Sequence, residues 1–322
     1  MPPVPTKGKI AMSYAEVAGV RVDTRHWIGG ERVASAGTFE SVSPIDGTVL
    51  AHVARGGRVE ADAAVAAARA AFPAWARLTP VERGEILHRV ADNVEAHIEE
   101  LAQLETADNG SLLRSHRRGV MPRVVLNLRF FADYAINELS HPVFETRGHE
   151  NHVSWDPSGV AVIITPWNAP LMLATWRIGP ALASGDTVVA KPPEWAPLTA
   201  SYFAQLAHEA GLPAGVFNVV QGLGTEAGAA LTANPDVSRI CFTGSVPTAK
   251  VIAHAAADNL TPCSFELGGK SPTVILDDAD LDLAVDLAIE QYDNAGQVCL
   301  AGTRLLVQEG IAPRFLAKLR RR

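Results

Sequence analysis

The sequence predicts an α/β fold: a doubly wound, Rossmann-like parallel sheet, followed by the start of a second α/β domain. Four short apolar runs, VAVII (160–164), TVVA (187–190), VFNVV (216–220) and RICF (239–242), alternate with helical patterns that end at Gly185, Gly211 and near Asn234. Alternation at this spacing implies right-handed crossovers, and hence parallel strands. After every run comes a polar, glycine-rich or proline-rich segment: Thr165-Pro166-Trp167-Asn168, Lys191-Pro192-Pro193-Glu194, Gln221-Gly222-Leu223-Gly224 and Thr243-Gly244-Ser245. Ligands of such sheets bind beyond the carboxyl ends of the strands, where these segments lie.

Composition agrees. Of 322 residues 48% are hydrophobic and 20% charged, which excludes a disordered chain and supplies a core for about two domains. A net charge of −7 gives no electrostatic reason to expect nucleic acid or an anionic membrane as partner. The short basic runs Arg114–Arg118 and Arg320–Arg322 read as solvated faces. Three cysteines without a C-x-x-C spacing predict neither a disulfide framework nor a metal site. The opening MPPVPTKGKIAMSYAEV lacks the apolar core of a signal peptide, so a cytoplasmic location is expected. Residues 157–176 carry no charge, but Pro166 and Pro170 break them into strand, loop and helix rather than a membrane span.

In chain order, residues 24–55 predict a small antiparallel lead-in, with turns at Gly29-Gly30 and Asp46-Gly47. From about Val59 to Ile136 apolar spacings of three and four, as at Ile86, Leu87, Val90, Val94 and Ile98, predict covering helices. Residues 143–156 alternate around Gly148 and predict a protruding hairpin whose His149 and His152 do not form a metal motif. Strands at Pro272–Leu276 and Arg304–Val307, with a helix from Leu281 to Tyr292 between them, open the second domain. The boundary is placed between residues 265 and 266.

Several residues carry candidate chemistry. The tract from Gly222 to Ala227 imitates a dinucleotide fingerprint, yet it follows the third run rather than the first, and a plain packed turn explains its glycines equally well. Gly244-Ser245, at a strand-to-helix junction, offers helix N-terminal amides and a hydroxyl for pyrophosphate. Lys191 and Glu194 offer an ammonium and a carboxylate from one turn, suited to ribose hydroxyls or to a plain surface ion pair. A lone cysteine is most often an inert small hydrophobe, the reading for Cys241. Cys299 differs, because Gly296, Ala301 and Gly302 allow close backbone approach. Glu266 ends an extended run ahead of Gly268-Gly269.

TPWN, KPPE, FTGS, FELGGKSP and GQVC stand in the order and spacing of the aldehyde dehydrogenase superfamily, and from about Trp27 onward the sequence resembles it. The segment ETADNGSLLRSHRRGVMPRVVLNLRFFADYA is similar to the branch that oxidises 2-hydroxymuconic-type semialdehydes. The resemblance implies that Cys299 is the nucleophile, that the Asn168 amide and the Cys299 backbone N–H hold the oxyanion, and that Glu266 activates water. It implies NAD as cofactor, with NADP left open by Lys191, and a small aldehyde as substrate. Lys191 and Glu194 would hold the adenosine ribose and Gly244 with Ser245 the pyrophosphate. Thr165, Pro166, Trp167, Gly224, Gly228, Phe242, Thr243, Leu267 and Gly268 would complete the nucleotide site. Glu266 argues against the CoA-acylating branch. The hairpin near 141–157 would serve oligomerisation, and a homo-oligomer is what the family implies.

Four features depart from the family pattern. Ala249 stands where glycine is common, Pro193 replaces a small residue, and Arg177 occupies a position often held by lysine. The sequence ends in APRFLAKLRRR, before the Glu-x-Phe-Gly-Pro motif and the oligomerisation strand, so the second domain is expected to be incomplete. Two readings follow: an NAD-dependent aldehyde dehydrogenase, or a fragment that binds nucleotide or pairs with a complete homologue.

Overall fold

A computed structural model describes residues 13–138 and 141–322; most of the N-terminal stretch used for the signal-peptide reading lies outside the described residues. The centre is a seven-stranded sheet in the order Cys263–Leu267, Arg239–Gly244, Val160–Ile164, Thr187–Lys191, Phe217–Val219, His26–Ile28, Glu31–Val33. The first five strands of that order are parallel, and the last two join antiparallel through Val219 opposite Trp27. Chain order reverses between Val160–Ile164 and Arg239–Gly244, so the switch point of this doubly wound sheet lies where TPWN and FTGS emerge.

The antiparallel lead-in divides. Residues 26–33 form a hairpin through Gly29 (φ 64) and Gly30 (φ 87), the double positive φ of a type I′ turn, and extend the main sheet. Tyr14–Val17 with Val20–Asp23, and Thr38–Val42 with Val49–Ala54, pair as separate two-stranded sheets. The outcome turns on Trp27, whose indole is buried against the edge of the parallel strands and beneath the Arg32 guanidinium.

Side chains alternate along the central strand, as strand geometry requires. Val160, Val162 and Ile164 pack with Ala61, Ala64 and Val65 of the helix Arg58–Ala76 and with Ala249 and Ile252 of the helix Val246–Ala257. Ile163 faces the other way, into a larger cluster with Leu87, Val90, Leu128, Ile178 and Phe203 from four helices. Ala249 is accommodated: its methyl joins the first cluster and its N–H keeps the 3.0 Å bond to the Ser245 carbonyl. Gly185 (φ 100) and Gly211 (φ 95) close their helices in the left-handed region.

Val143–Thr146 and His149–His152 form the expected hairpin around Gly148. Pro272–Ile275 and Arg304–Val307 pair in parallel, with Leu281–Glu290 between them and a small cluster of Ile275, Val285, Ile311 and Phe315. The strand Cys263–Leu267 carries Glu266 inside the main sheet. Among the described residues no helix is long and apolar enough to cross a membrane.

Candidate active site

Three loops converge at the switch point. The first follows Ile164. Thr165 is buried, its N–H donating to the Lys191 carbonyl at 3.3 Å, and Asn168 donates from Nδ2 to the Gln297 carbonyl at 2.8 Å. Gln297 lies two residues before Cys299, so one N–H of the Asn168 amide is tied to the loop that carries the sulfur. A primary amide has two N–H donors, which leaves the second for a ligand. The Asn168 carbonyl in turn accepts from Asn294 Nδ2 at 2.9 Å, and Ser111 Oγ donates to Asn294 Oδ1.

The second loop bends sharply to present its cysteine. Asn294 (φ 51) and Ala295 (φ 54) occupy the left-handed region consecutively, followed by Gly296 (φ 73). Such a conformation costs about 1–3 kcal/mol per non-glycine residue and persists only where neighbours over-determine it. Asn168, Ser111 and the bond from Gly302 N–H to Gln291 Oε1 supply that constraint. Gly302 is required sterically, because a Cβ there would collide with Thr273 Oγ1.

The third element is the end of Cys263–Leu267. Glu266 is exposed and pairs with Arg177 at 3.2 Å, so the arginine at the lysine-like position meets the carboxylate directly. Three residues on, a Cβ added to Gly269 would lie 3.3 Å from the Cys299 carbonyl, which brings this strand end against the cysteine loop. The three thiols differ in environment. Cys241 is buried in its strand and burial pushes its thiol pKa up; burial also raises that of Cys263; Cys299 is exposed.

The residues expected to hold a nucleotide stand at the ends of the neighbouring strands. Lys191 is 2% exposed at the end of its strand, its ammonium 2.8 Å from Glu194 Oε2. Burial lowers the Lys191 pKa, with Glu194 opposing; burial raises that of Glu194, but Lys191 and hydrogen bonds bring it below the usual carboxylate range. A pair buried at one end and open at the other is no ordinary surface ion pair. Gly224 and Gly228 flank it: a Cβ on either would lie 3.9 Å from Glu194 Oε1 or from Lys191 Cδ. Gly222, by contrast, is glycine because a Cβ would stand 2.7 Å from the Gly56 carbonyl, so it serves packing rather than phosphate approach.

Phe242 packs edge-on to Phe265 and limits Gly244, where a Cβ would lie 2.5 Å from the Phe242 ring. The Ser245 hydroxyl caps Val246–Ala257 by accepting from Thr248 N–H at 3.3 Å. Thr243 and Leu267 are half-buried and Gly268 is exposed, at the ends of adjacent strands. Pro166 and Trp167 are half-buried, and the Trp167 ring lies 6.2 Å from Trp195. A cavity of about 380 Å³ is lined in part by Trp167, Glu194, Trp195 and Gln297. A larger one, about 750 Å³, runs along Thr225–Ala233 and does not include Cys299 or Glu266.

Sequence reasoning missed Asn294, Ser111 and Asn109, whose Nδ2 reaches the Asn168 carbonyl at 3.4 Å. Asn294 lies in the cysteine tract, and an asparagine next to small residues is a signal for the left-handed region. Nothing in periodicity marks Ser111.

The aldehyde dehydrogenase family model matches residues 32–322. The 2-hydroxymuconic semialdehyde dehydrogenase of Pseudomonas sp. (strain CF600) is 44% identical over 311 residues, covering 92% of this chain and 63% of that protein. The 5-carboxymethyl-2-hydroxymuconate semialdehyde dehydrogenase of Escherichia coli is 42% identical over 294 residues, covering 90% and 62%. Among solved structures, the indole-3-acetaldehyde dehydrogenase of P. syringae, in complex with NAD+ and IAA, superposes with a TM-score of 0.90 at 41% identity, over 93% of this chain and 62% of that one. The chain thus spans about three fifths of the length of the relatives it matches. A family match across nine tenths of the residues, a shared fold and the sulfur, amide and carboxylate loops meeting at one switch point lead to one conclusion: the chain belongs to the aldehyde dehydrogenase family.

Proposed function

We propose that this chain provides the nucleotide site and the nucleophile of an enzyme that oxidises an aldehyde to the acid with NAD+. The observation that carries the reading is the 2.8 Å bond from Asn168 to the Gln297 carbonyl, which locks the oxyanion-donor loop to the cysteine loop. The Cys299 thiolate adds to the aldehyde carbon, and the resulting oxyanion is held by the free N–H of Asn168 and the Cys299 backbone amide. When bound, NAD+ would accept the hydride that leaves this adduct as its carbon becomes a thioester on Cys299. Glu266, oriented by Arg177, takes a proton from water, which attacks the thioester and releases acid and thiol.

Lys191 suits a ribose: an ammonium has three N–H donors, of which one goes to Glu194, while Gly224 and Gly228 keep the approach beside the pair clear. Glu194 favours NAD over NADP by repelling a 2′-phosphate. The names of the muconic-type relatives support a semialdehyde as substrate.

A second reading is favoured by the exposed apolar side chains Val274, Leu300 and Leu306: nucleotide binding, with turnover requiring a chain that covers this face. One experiment separates them. Aldehyde-dependent NADH formation that disappears in Cys299→Ser supports the first; NAD binding with no NADH formation across a panel of semialdehydes supports the second.

A further inference from the structure

Two helices that follow the site loops lack a side-chain cap of their own. Pro170–Ser184 begins after Ala169, and Leu198–Glu209 after Pro197, neither of which offers an acceptor. Their caps come from a third helix, Ile98–Asn109. Glu105 Oε2 accepts from Leu171 N–H at 3.3 Å and from the Thr199 hydroxyl at 2.9 Å, and Asp108 Oδ2 accepts from Leu198 N–H at 2.8 Å. Glu105 is fully buried, and its other oxygen has no partner but faces His116 Nδ1 at 3.8 Å. Both ring nitrogens of His116 are buried without partners, and His116 opens a π-helical turn, His116–Val120. Structural buried polar groups are normally satisfied, and π turns recur at functional places.

We propose that Glu105 is a positioning residue for the oxyanion donor: backed by His116, its carboxyl fixes the first turn of Pro170–Ser184 and, through that turn, Asn168. The inference rests on the reading of Asn168 above. Burial raises the Glu105 pKa to about 8, so the acid is neutral at pH 7: one oxygen accepts from Leu171 while the other can hold a proton toward His116. Burial lowers His116 to about 4, which keeps the ring beside the carboxyl neutral; at 3.8 Å the two are in contact without a hydrogen bond. The titratable groups facing Glu105 are His116 and, on its own helix, Asp108, raised by burial to about 7. The two capped helices present to it an amide and a hydroxyl, neither of which titrates. Above pH 8 both carboxyls would be ionised in a site closed to water, a desolvation cost that local opening of the turns they hold relieves.

The test compares Glu105→Gln and Glu105→Ala by amide hydrogen exchange of residues 165–172 and by the pH profile of turnover. Expected for the wild type is extra exchange in this segment above pH 8, beyond the intrinsic pH dependence seen in the sheet. Glutamine, which mimics the neutral acid, should restore wild-type protection at pH 7 and abolish the step above pH 8. Alanine should raise exchange there about tenfold, with kcat down by a similar factor and KM for NAD within twofold. If the alanine variant does not fold, the pH step in wild type against glutamine decides alone. Unchanged exchange in Glu105→Ala, or a step above pH 8 that survives in Glu105→Gln, overturns the proposal. Exchange as expected with no turnover in the wild type instead counts against the proposed activity and leaves the positioning role standing.

Discussion

Replacing Lys191 by methionine separates stability from binding. The ammonium is 2% exposed and ion-paired to a Glu194 side chain that is 36% exposed. Removing one partner of a buried ion pair is costly where it strands a buried charge, but methionine has similar volume and needs no solvation, and the freed Glu194 carboxylate, 36% exposed, can hydrate through its open side. Unfolding free energy should therefore change by less than about 1 kcal/mol, a shift in Tm of no more than about 4 °C. Binding should respond in the opposite sense. A hydrogen bond from a charged donor to a ribose hydroxyl contributes roughly 1.5–3 kcal/mol, so its loss weakens NAD by about 10- to 150-fold. Calorimetric titration with NAD and thermal melts without it measure the two effects on the same samples. An NAD Kd within threefold of wild type would remove Lys191 from the nucleotide site. A Tm lowered by more than about 10 °C would make the ammonium a structural element instead.

Two further predictions follow from the charges. Arg177→Ala frees Glu266, whose side chain is 57% exposed, so the effect on hydrolysis should be only a few-fold, as for an exposed pair of about 0.2–1 kcal/mol. Stopped-flow NADH formation should keep its first-turnover burst while the steady rate falls; loss of the burst with an unchanged steady rate would contradict the assignment. The second concerns stability. Glu105 and Asp108 are raised by burial from 4.5 and 3.8 to about 8 and about 7, so between those limits the folded chain holds more protons than the unfolded one and stability falls as pH rises. His26 and His116, lowered by burial from 6.5 to about 4, act in the opposite sense, and their contribution is lost as pH falls below 6.5. Denaturant melts should show stability nearly flat from about pH 5 to 6.5 and falling toward pH 8; a rise over that last interval would refute the protonation states assigned.

Four strands of the parallel sheet were legible because their runs are buried on both faces, so that apolar residues are continuous and the punctuation falls at strand ends; the fifth, Cys263–Leu267, is only partly buried. Lys191 and Cys299 were legible for the same reason: each stands just where a run ends or among residues too small to pack. The antiparallel edge was not, since its pairing depends on Trp27 meeting Val219, a contact that spans the whole of the intervening helical region. Nor was the support of Asn168. Glu105 and Asp108 sit on a helix whose periodicity is satisfied without them, and the orphan amides they accept belong to helices much later in the chain. The glycines of the fingerprint-like tract show the converse: identical in sequence, Gly222 answers to the Gly56 backbone whereas Gly224 answers to Glu194.

Trapping the covalent intermediate tests the central claim most directly. In Glu266→Gln, incubated with NAD+ and a semialdehyde and then acid-quenched, peptide mass spectrometry should find the acyl group of the aldehyde on Cys299, with one NADH formed per acylated chain. NADH formed while the acyl group resides on Cys241 or Cys263, or turnover at the wild-type rate without acyl-Cys299, would contradict a pocket in which residues 168, 266 and 299 act together.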